Sequence, residues 1–341
     1  MPAWTKGGGK DEDVIVLSRV CVSRNVEGLF FPDKADEGTR ESVLEIADRA
    51  IGRVNEQGEE LLVYRLSEMG ELDALALCEV CWSSSEAVGR PGAAVAATRD
   101  RSLCIFVNEQ DHFRFQCVMP GLALREAHDR VEALPATFGR ETRFARKDGL
   151  GYLTARPENA GTGLKACLMV DLPALRCLGH LEDVVEQLED SGMIVRFTSS
   201  DEASEAAGPA EVCTADGRDV DAAEVVAEVE AAGTRLVEAE RESREVLRTE
   251  RKLEAADLVW RAHALLRSAR LMSRTEALAH ISMLRLGVAL GIVRGLDASA
   301  LNHLTVLVGS AYIQAKTGNR LDAEGLNQAR AAIVRRALGA K

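Results

Sequence analysis

The chain is expected to fold as α+β, a mixed strand–helix region followed by a helical one. Three observations carry this. Residues 13–23, "DVIVLSRVCVS", alternate around Val14, Val16, Val20 and Val22, a period of two that fits a strand. From about Asp219 the composition shifts to long Ala/Glu/Leu/Arg segments with helical spacing. The later segments also carry helix-start signals. Ser273 precedes Glu276 by three residues, a capping box, and Asp297 and Asp322 stand where N-caps belong.

The elements of the first region follow in order. "EELLVYRLSEM" and "AAVAATRDRSLCIFVNE" predict further strands, the latter broken by a polar turn at Thr98–Ser102. "GLALREAHDRVEAL" (121–134) has helical spacing. "LKACLMVDL" (164–172) fits strand or helix, because short apolar runs carry both patterns. "MIVRFTSSD" (193–201) predicts a strand entering a Ser-rich loop.

Bulk composition narrows the function classes. The 341 residues are 46% apolar and 28% charged, an ordinary globular balance with room for about two domains. Aromatic residues are only 4%, so Ala, Val and Leu must fill the core. A net charge of −12 argues against general nucleic-acid binding. No apolar run reaches 18 residues, so no membrane span is expected. Met1 to Asp13 is polar and Gly-rich, unlike a signal peptide, and a cytoplasmic location is the expectation. The eight cysteines sit mostly in apolar runs, which predicts free buried thiols. Cys78 and Cys81 form one CxxC, but no second pair or spaced histidine completes a zinc site, so no metal site is assigned.

Three polar islands interrupt the apolar pattern: "LSRVCVSRN" (17–25), "NEQDHFR" (108–114) and "ARPENAGTGLKA" (155–166). Arg196 and the loop acids Glu202 and Glu205 extend the set. Cations on several strands that converge on one cleft suit a polyphosphate, since guanidinium groups bind phosphate oxygens in pairs. Each island also has a plain interpretation. A lone strand Arg is usually solvated, "AGTG" is commonly a turn, and Asp111 and His112 could simply hold one another.

In this order, the islands resemble the motifs of the ATP:guanido phosphotransferases, and most closely of the bacterial protein arginine kinases that act with stress-response proteases. "VIVLSRVCVSRN" resembles V-V-L-S-S-R-I-R-L-A-R-N, and "VNEQDHFRFQCVMPG" resembles I-N-E-E-D-H-L-R-I-Q-x-x-x-P-G. "GYLTARPENAGTGLKA" resembles G-Y-L-T-x-C-P-T-N-x-G-T-G-L-R-A. "ARLMSRTEALAHISMLRLGVALGIV" is similar to the C-terminal helices of the arginine kinases. The resemblance implies a catalytic domain over 14–245, an antiparallel sheet flanked by helices, and an all-α C-terminal domain over 246–341. It implies transfer of the ATP γ-phosphoryl group, with Mg²⁺, to a guanidinium nitrogen. Arginines would neutralise the phosphates and a carboxylate would orient the guanidinium and take its proton.

Carried over by position, the resemblance places Ser18, Arg19, Arg114, Lys165 and Arg196 in the nucleotide site. The family's next phosphate Arg falls on Cys21, and Lys165 replaces an Arg with a point charge lacking the bidentate fork. The acceptor side departs further. The family's catalytic glutamate falls on Gln110, beside Glu109, and an amide neither accepts the proton nor pairs with a guanidinium as a charge. The active-site Cys falls on Arg156, and Glu202 or Glu205 stands in for the acid of a loop that has lost its glycines. Of R-D-x-x-R-A, which forms a phosphoarginine pocket in the arginine kinases, only Arg330 and Ala331 remain; Leu326 and Asn327 replace the first Arg and the Asp.

Three functions are therefore expected to compete: a family member with lost or much reduced kinase activity, a working phosphotransferase with a rearranged acceptor site, and a non-catalytic scaffold. A protein substrate or partner in protein quality control, and a homodimer or other pairing through the helical region, complete the expectations.

Overall fold

The computed structural model describes residues 1–198, 208–214 and 221–339. Strand β1 (Ile15–Arg24) runs through the middle of the first region. Helix α1 (Glu37–Glu56), strand β2 (Leu62–Arg65), helix α2 (Glu71–Cys81), and strands β3 (Ala94–Ala97), β4 (Leu103–Val107) and β5 (Phe113–Pro120) follow. Next come α3 (Leu124–Phe138), the short pair β6 (Arg146–Lys147) and β7 (Gly151–Tyr152), and β8 (Leu164–Val170). Helices α4 (Pro173–Leu178) and α5 (Leu181–Asp190) precede β9 (Met193–Phe197) and β10 (Ala210–Thr214). The helical region comprises α6 (Ala222–Thr249), α7 (Lys252–Ser268), α8 (Arg274–Ala289), α9 (Ala298–Leu307), α10 (Ser310–Thr317) and α11 (Ala323–Ala337).

Eight strands form one sheet in the order β2-β3-β4-β5-β1-β8-β10-β9, with every neighbouring pair antiparallel. The segment "LKACLMVDL" is thus a strand. It pairs with β1 along its length and with β10 over residues 167–170, a tertiary pairing that a lone apolar run cannot reveal.

Side chains alternate across a strand, and this sheet uses both faces. Val20, Val22, Phe113, Phe115, Ala166 and Leu168 enter the main core with residues of α1, α3 and α6. Phe138 meets Phe113 and Phe115 edge-on at ring separations of 5.0 and 4.8 Å. The opposite face is covered by α2 over β3 and β4, and by Trp4 beside Leu17, Val118 and Met169. Between these covers lies a polar floor.

The expected caps form. Ser273 accepts from the Glu276 N–H at 3.1 Å, Asp297 from Ala300 at 2.8 Å and Asp322 from Gly325 at 2.8 Å. A buried clasp ties the helical region to the sheet. Asp171, just past β8, accepts from Arg285 Nε at 3.1 Å and from Ser282. Arg285 also donates to Asn302 at 2.9 Å. No helix among the described residues is long and apolar enough to cross a membrane.

The expectation that all cysteines are free needs one correction. Cys167 and Cys213 stand directly opposite in the β8–β10 register and form a disulfide, with Cα atoms 4.2 Å apart. The two lie 46 residues apart in sequence, so only the strand register brings them together. The other six cysteines are unpaired, five of them buried.

Candidate active site

On the polar face, β1 presents Arg19, Cys21 and Ser23 in succession. Gln116 and Arg114 on β5 stand opposite Cys21 and Ser23; on β8, Lys165 and Cys167 stand opposite Cys21 and Arg19. Glu211 on β10 and Arg196 on β9 continue the same face toward the sheet edge. A pocket of about 280 Å³ opens over this floor. Among the described residues, its charged lining is Arg19, Arg114, Arg156 and Lys165 against the single carboxylate of Glu109. Four cations to one acid fit an anion such as a phosphate chain.

The cations are not equally available. Arg19 pairs with Glu211 and lies 5.2 Å from the Trp82 ring centre. Its Nε is buried without a partner. Arg114 is committed inside the protein. Its Nε and Nη2 fork onto Glu109 at 2.7 and 3.0 Å, Nη1 donates to Gln116 at 2.8 Å, and the guanidinium lies 4.0 Å from the Phe106 ring centre. Burial alone would disfavour the Arg114 charge, but Glu109 more than restores it. Burial pulls the Lys165 ammonium below its usual range; Glu211 offsets part of that, while Arg19 and Arg196 add to it.

The 108–112 loop explains itself residue by residue. Asn108 takes a left-handed backbone, φ 53°, and donates to the Arg40 and Gly92 carbonyls at 2.8 Å each. Glu109 is buried and accepts from Arg114 and the Ser83 hydroxyl. Burial would raise its pKa, but Arg114 and the serine donors hold it below the usual carboxylate range. Asp111 accepts from Asn25 Nδ2 and the Ala155 N–H, both at 2.7 Å. His112 Nδ1 accepts from the Val26 N–H, and Nε2 donates to the Phe30 carbonyl, each at 3.0 Å. Asp111 and His112 therefore do not hold one another; Asn25 bridges them, its Oδ1 accepting from the His112 N–H at 2.8 Å. Gln110 alone of the five is not buried. It lines the pocket and makes no hydrogen bond to a described residue.

Several other expected site residues are placed elsewhere. Ser18 lies on the core face, fully buried, donating to the Gly121 carbonyl at 2.7 Å and accepting from the Ala123 N–H at 2.9 Å. Its neighbour Arg19 points to the pocket, and successive strand residues cannot share a face. Arg196 is exposed on β9 and does not line the pocket. Glu202 and Glu205 lie outside the described residues. Arg330 is buried and donates to the carbonyls of Val308 and Met272 at 2.9 Å, so it staples helix ends together. Sequence reading missed Trp82, which ends α2 with φ 62° and walls the pocket, and Ser83 and Glu211. A bulky residue after a helix gives no sequence signal for this role.

His112 supplies a pH prediction. Burial lowers its pKa from the usual 6.5 to about 4. The folded chain thus favours the neutral ring, so stability is full above about 6.5 and falls as pH drops toward 4. The 2.5-unit interval corresponds to roughly 3 kcal/mol. Urea midpoints across this range should fall for the wild type, and His112→Gln should flatten the fall. Parallel profiles for the two proteins would contradict the assignment.

Comparison with known proteins places this geometry. The model for the ATP:guanido phosphotransferase C-terminal catalytic domain matches residues 42–243, and that for the protein-arginine kinase McsB C-terminal domain matches 252–341. The protein-arginine kinase of Symbiobacterium thermophilum is 34% identical, covering 99% of this chain and 96% of that one. That of Moorella thermoacetica is 35% identical, covering 98% and 97%.

The chain belongs to the protein-arginine kinase family.

The fold agrees with solved guanidino kinases. A lombricine kinase crystal structure superposes with a TM-score of 0.57 at 21% identity, over 69% of this chain and 68% of that one. The substrate-free duplicated taurocyamine kinase of Schistosoma mansoni gives 0.60 at 20%, over 81% and 41%. In this chain the pocket floor is internally paired: Arg114 is forked onto Glu109 and Arg19 is paired with Glu211.

Proposed function

We propose that this chain is a protein-arginine-kinase homologue that binds nucleotide through its cationic floor but has lost most or all phosphoryl transfer to arginine. One observation carries this. Of the 108–112 loop, Gln110 and Glu109 line the pocket; Gln110 offers only an amide, and Glu109, the one lining carboxylate among the described residues, is engaged by Arg114 and the serines. No described lining group is therefore free to take a guanidinium proton. A substrate guanidinium would also meet the Arg156 charge at the rim.

Arg19 and Lys165 are the residues that would hold the phosphates of ATP. ATP supplies the γ-phosphoryl group and Mg²⁺ neutralises charge on its oxygens. The described lining residues offer no spare carboxylate for the metal, so Mg²⁺ would arrive on the phosphates. Arg19 would turn from Glu211 toward the anion, while Arg114 stays in its fork.

The expected outcome with ATP, Mg²⁺ and an arginine-rich protein is phosphoarginine formation at least about 10²-fold below an active family member, the smallest usual cost of losing a positioned base. ATP at millimolar concentration should still raise the melting temperature. Robust acid-labile phosphoarginine would overturn the loss of activity, and an unchanged melting temperature would overturn nucleotide binding. We further propose that the chain works as a scaffold, pairing through its helical region with itself or a protein-quality-control partner. Exposed Leu253, Trp260 and Leu265 on α7 support this. Light scattering that finds an inert monomer would count against it.

A further inference from the structure

The polar island at 17–25 holds one more cation, Arg24, that does not line the phosphate pocket. It follows Val20 and Val22 in the alternation of β1, so it faces the core side of the sheet, where a third apolar residue would fit. Arg24 is only 8% exposed. Its guanidinium lies 3.5 Å from the Tyr152 ring centre, and Nη1 donates to the Ser23 and Thr162 carbonyls at 2.7 and 2.9 Å. Nε is buried without a partner, and no carboxylate of a described residue forms an ion pair with the group. Burial pulls its pKa from the usual 12.5 down to about 10, with Tyr152 and Glu132 pulling the other way. A buried arginine without a counter-ion is costly and rare. This one opens onto a cavity of about 380 Å³ bounded by α3, β7 and the start of β8. Leu164, Phe144 and Pro135 supply apolar walls. Glu132 is the one acid among the described lining residues, and its side chain is 68% exposed at the rim.

We propose that this cavity binds a small carboxylate, its apolar body against Phe144, Pro135 and Leu164 and its carboxyl group supplying the counter-ion that Arg24 lacks. The chemistry follows from the lining. Ligand sites are commonly apolar cavities with a few placed polar groups, and the unmet demand here is one buried guanidinium. A bare inorganic anion would satisfy Arg24 but leave the apolar walls wet. The cavity backs onto the phosphate floor through the peptide chain. Ser23 and Gly163 line the phosphate pocket, while Arg24 Nη1 holds the Ser23 carbonyl from behind and lies 2.5 Å from where a Cβ on Gly163 would stand. An occupant therefore braces the backbone beneath the floor. Its seat is on the other face of the sheet, so the test stands whether or not the chain binds nucleotide.

The probes are phenylacetate, its neutral analogue phenylacetamide, and acetate, titrated by calorimetry against the full chain. Phenylacetate is expected to bind about tenfold more tightly than the amide, the usual advantage of one charged hydrogen-bonded contact. It should exceed acetate by at least about tenfold through burial of its ring. Arg24→Met should erase the preference for the acid over the amide. Ala136→Trp, at an exposed position of α3 that lines the cavity, should block it and weaken phenylacetate and phenylacetamide alike. This second variant keeps the test valid if Arg24→Met folds poorly. Equal binding of acid and amide, acetate as tight as phenylacetate, unchanged affinities in Ala136→Trp, or no binding of phenylacetate up to about 5 mM would each overturn the proposal.

Discussion

Replacing Arg114 with Met is expected to cost about 3–5 kcal/mol, because it strands the Glu109 carboxylate in the interior. The pair is almost wholly enclosed, with the Glu109 side chain 5% exposed and that of Arg114 16%. Both carboxylate oxygens take a guanidinium donor, so removing the Arg leaves a charge with only the Ser83 and Ser84 donors. The double variant Glu109→Gln/Arg114→Met should recover most of the loss, because it removes the charge along with its partner. The pH dependence has a definite sign. In the wild type, Glu109 is held below its ordinary 4.5, so its contribution is present above that value and disappears as pH falls through the folded value. In Arg114→Met the stranded carboxyl prefers its proton, and the gap between variant and wild type should narrow on acidification. Denaturant melts at several pH values measure all of this. A single-variant loss below about 1 kcal/mol, the range of a solvated pair, would show that the fork is not structural.

Gln110→Glu is expected to raise phosphoarginine formation by about 10²-fold or more, the contribution of a positioned general base. The new carboxylate would enter a pocket whose lining is cationic at Arg19, Arg114, Arg156 and Lys165, so it is electrostatically welcome there. It would restore an acceptor for the guanidinium proton without disturbing the buried neighbours Glu109 and Asp111. Radiolabel transfer from ATP to an arginine-rich protein, scored before and after acid treatment, reads the gain. If the wild type is already active and the variant equals it, Gln110 was never the missing base.

Much of the fold could be read directly. The strands around Val14–Val22 and Leu103–Val107, and the caps at Ser273, Asp297 and Asp322, depend on local periodicity and side-chain chemistry. The site was legible only in part. The 108–114 run correctly marked a polar strand end, but neighbouring residues in it do quite different jobs. Ser18 and Arg19 could have been separated beforehand, because strand alternation forbids both from facing one ligand. The Glu109–Arg114 fork, the Arg19–Glu211 pair and the Cys167–Cys213 disulfide were not legible. Each depends on strand register or on a rotamer choice that composition does not encode. Arg330 looked like the remnant of a binding motif; only its burial shows that it closes helix ends.

The two-sided strand β1 has a consequence for how such a protein changes over time. Val20 and Val22 serve the core, while Arg19, Cys21 and Ser23 serve the floor on the opposite face of the sheet. Side chains at positions 110 and 165, which face the pocket, can therefore change with little penalty in folding. The same separation makes the floor a tolerant surface for laboratory evolution. A library randomised at Gln110 and Lys165 should remain largely folded, offering a ready route to new anion specificities.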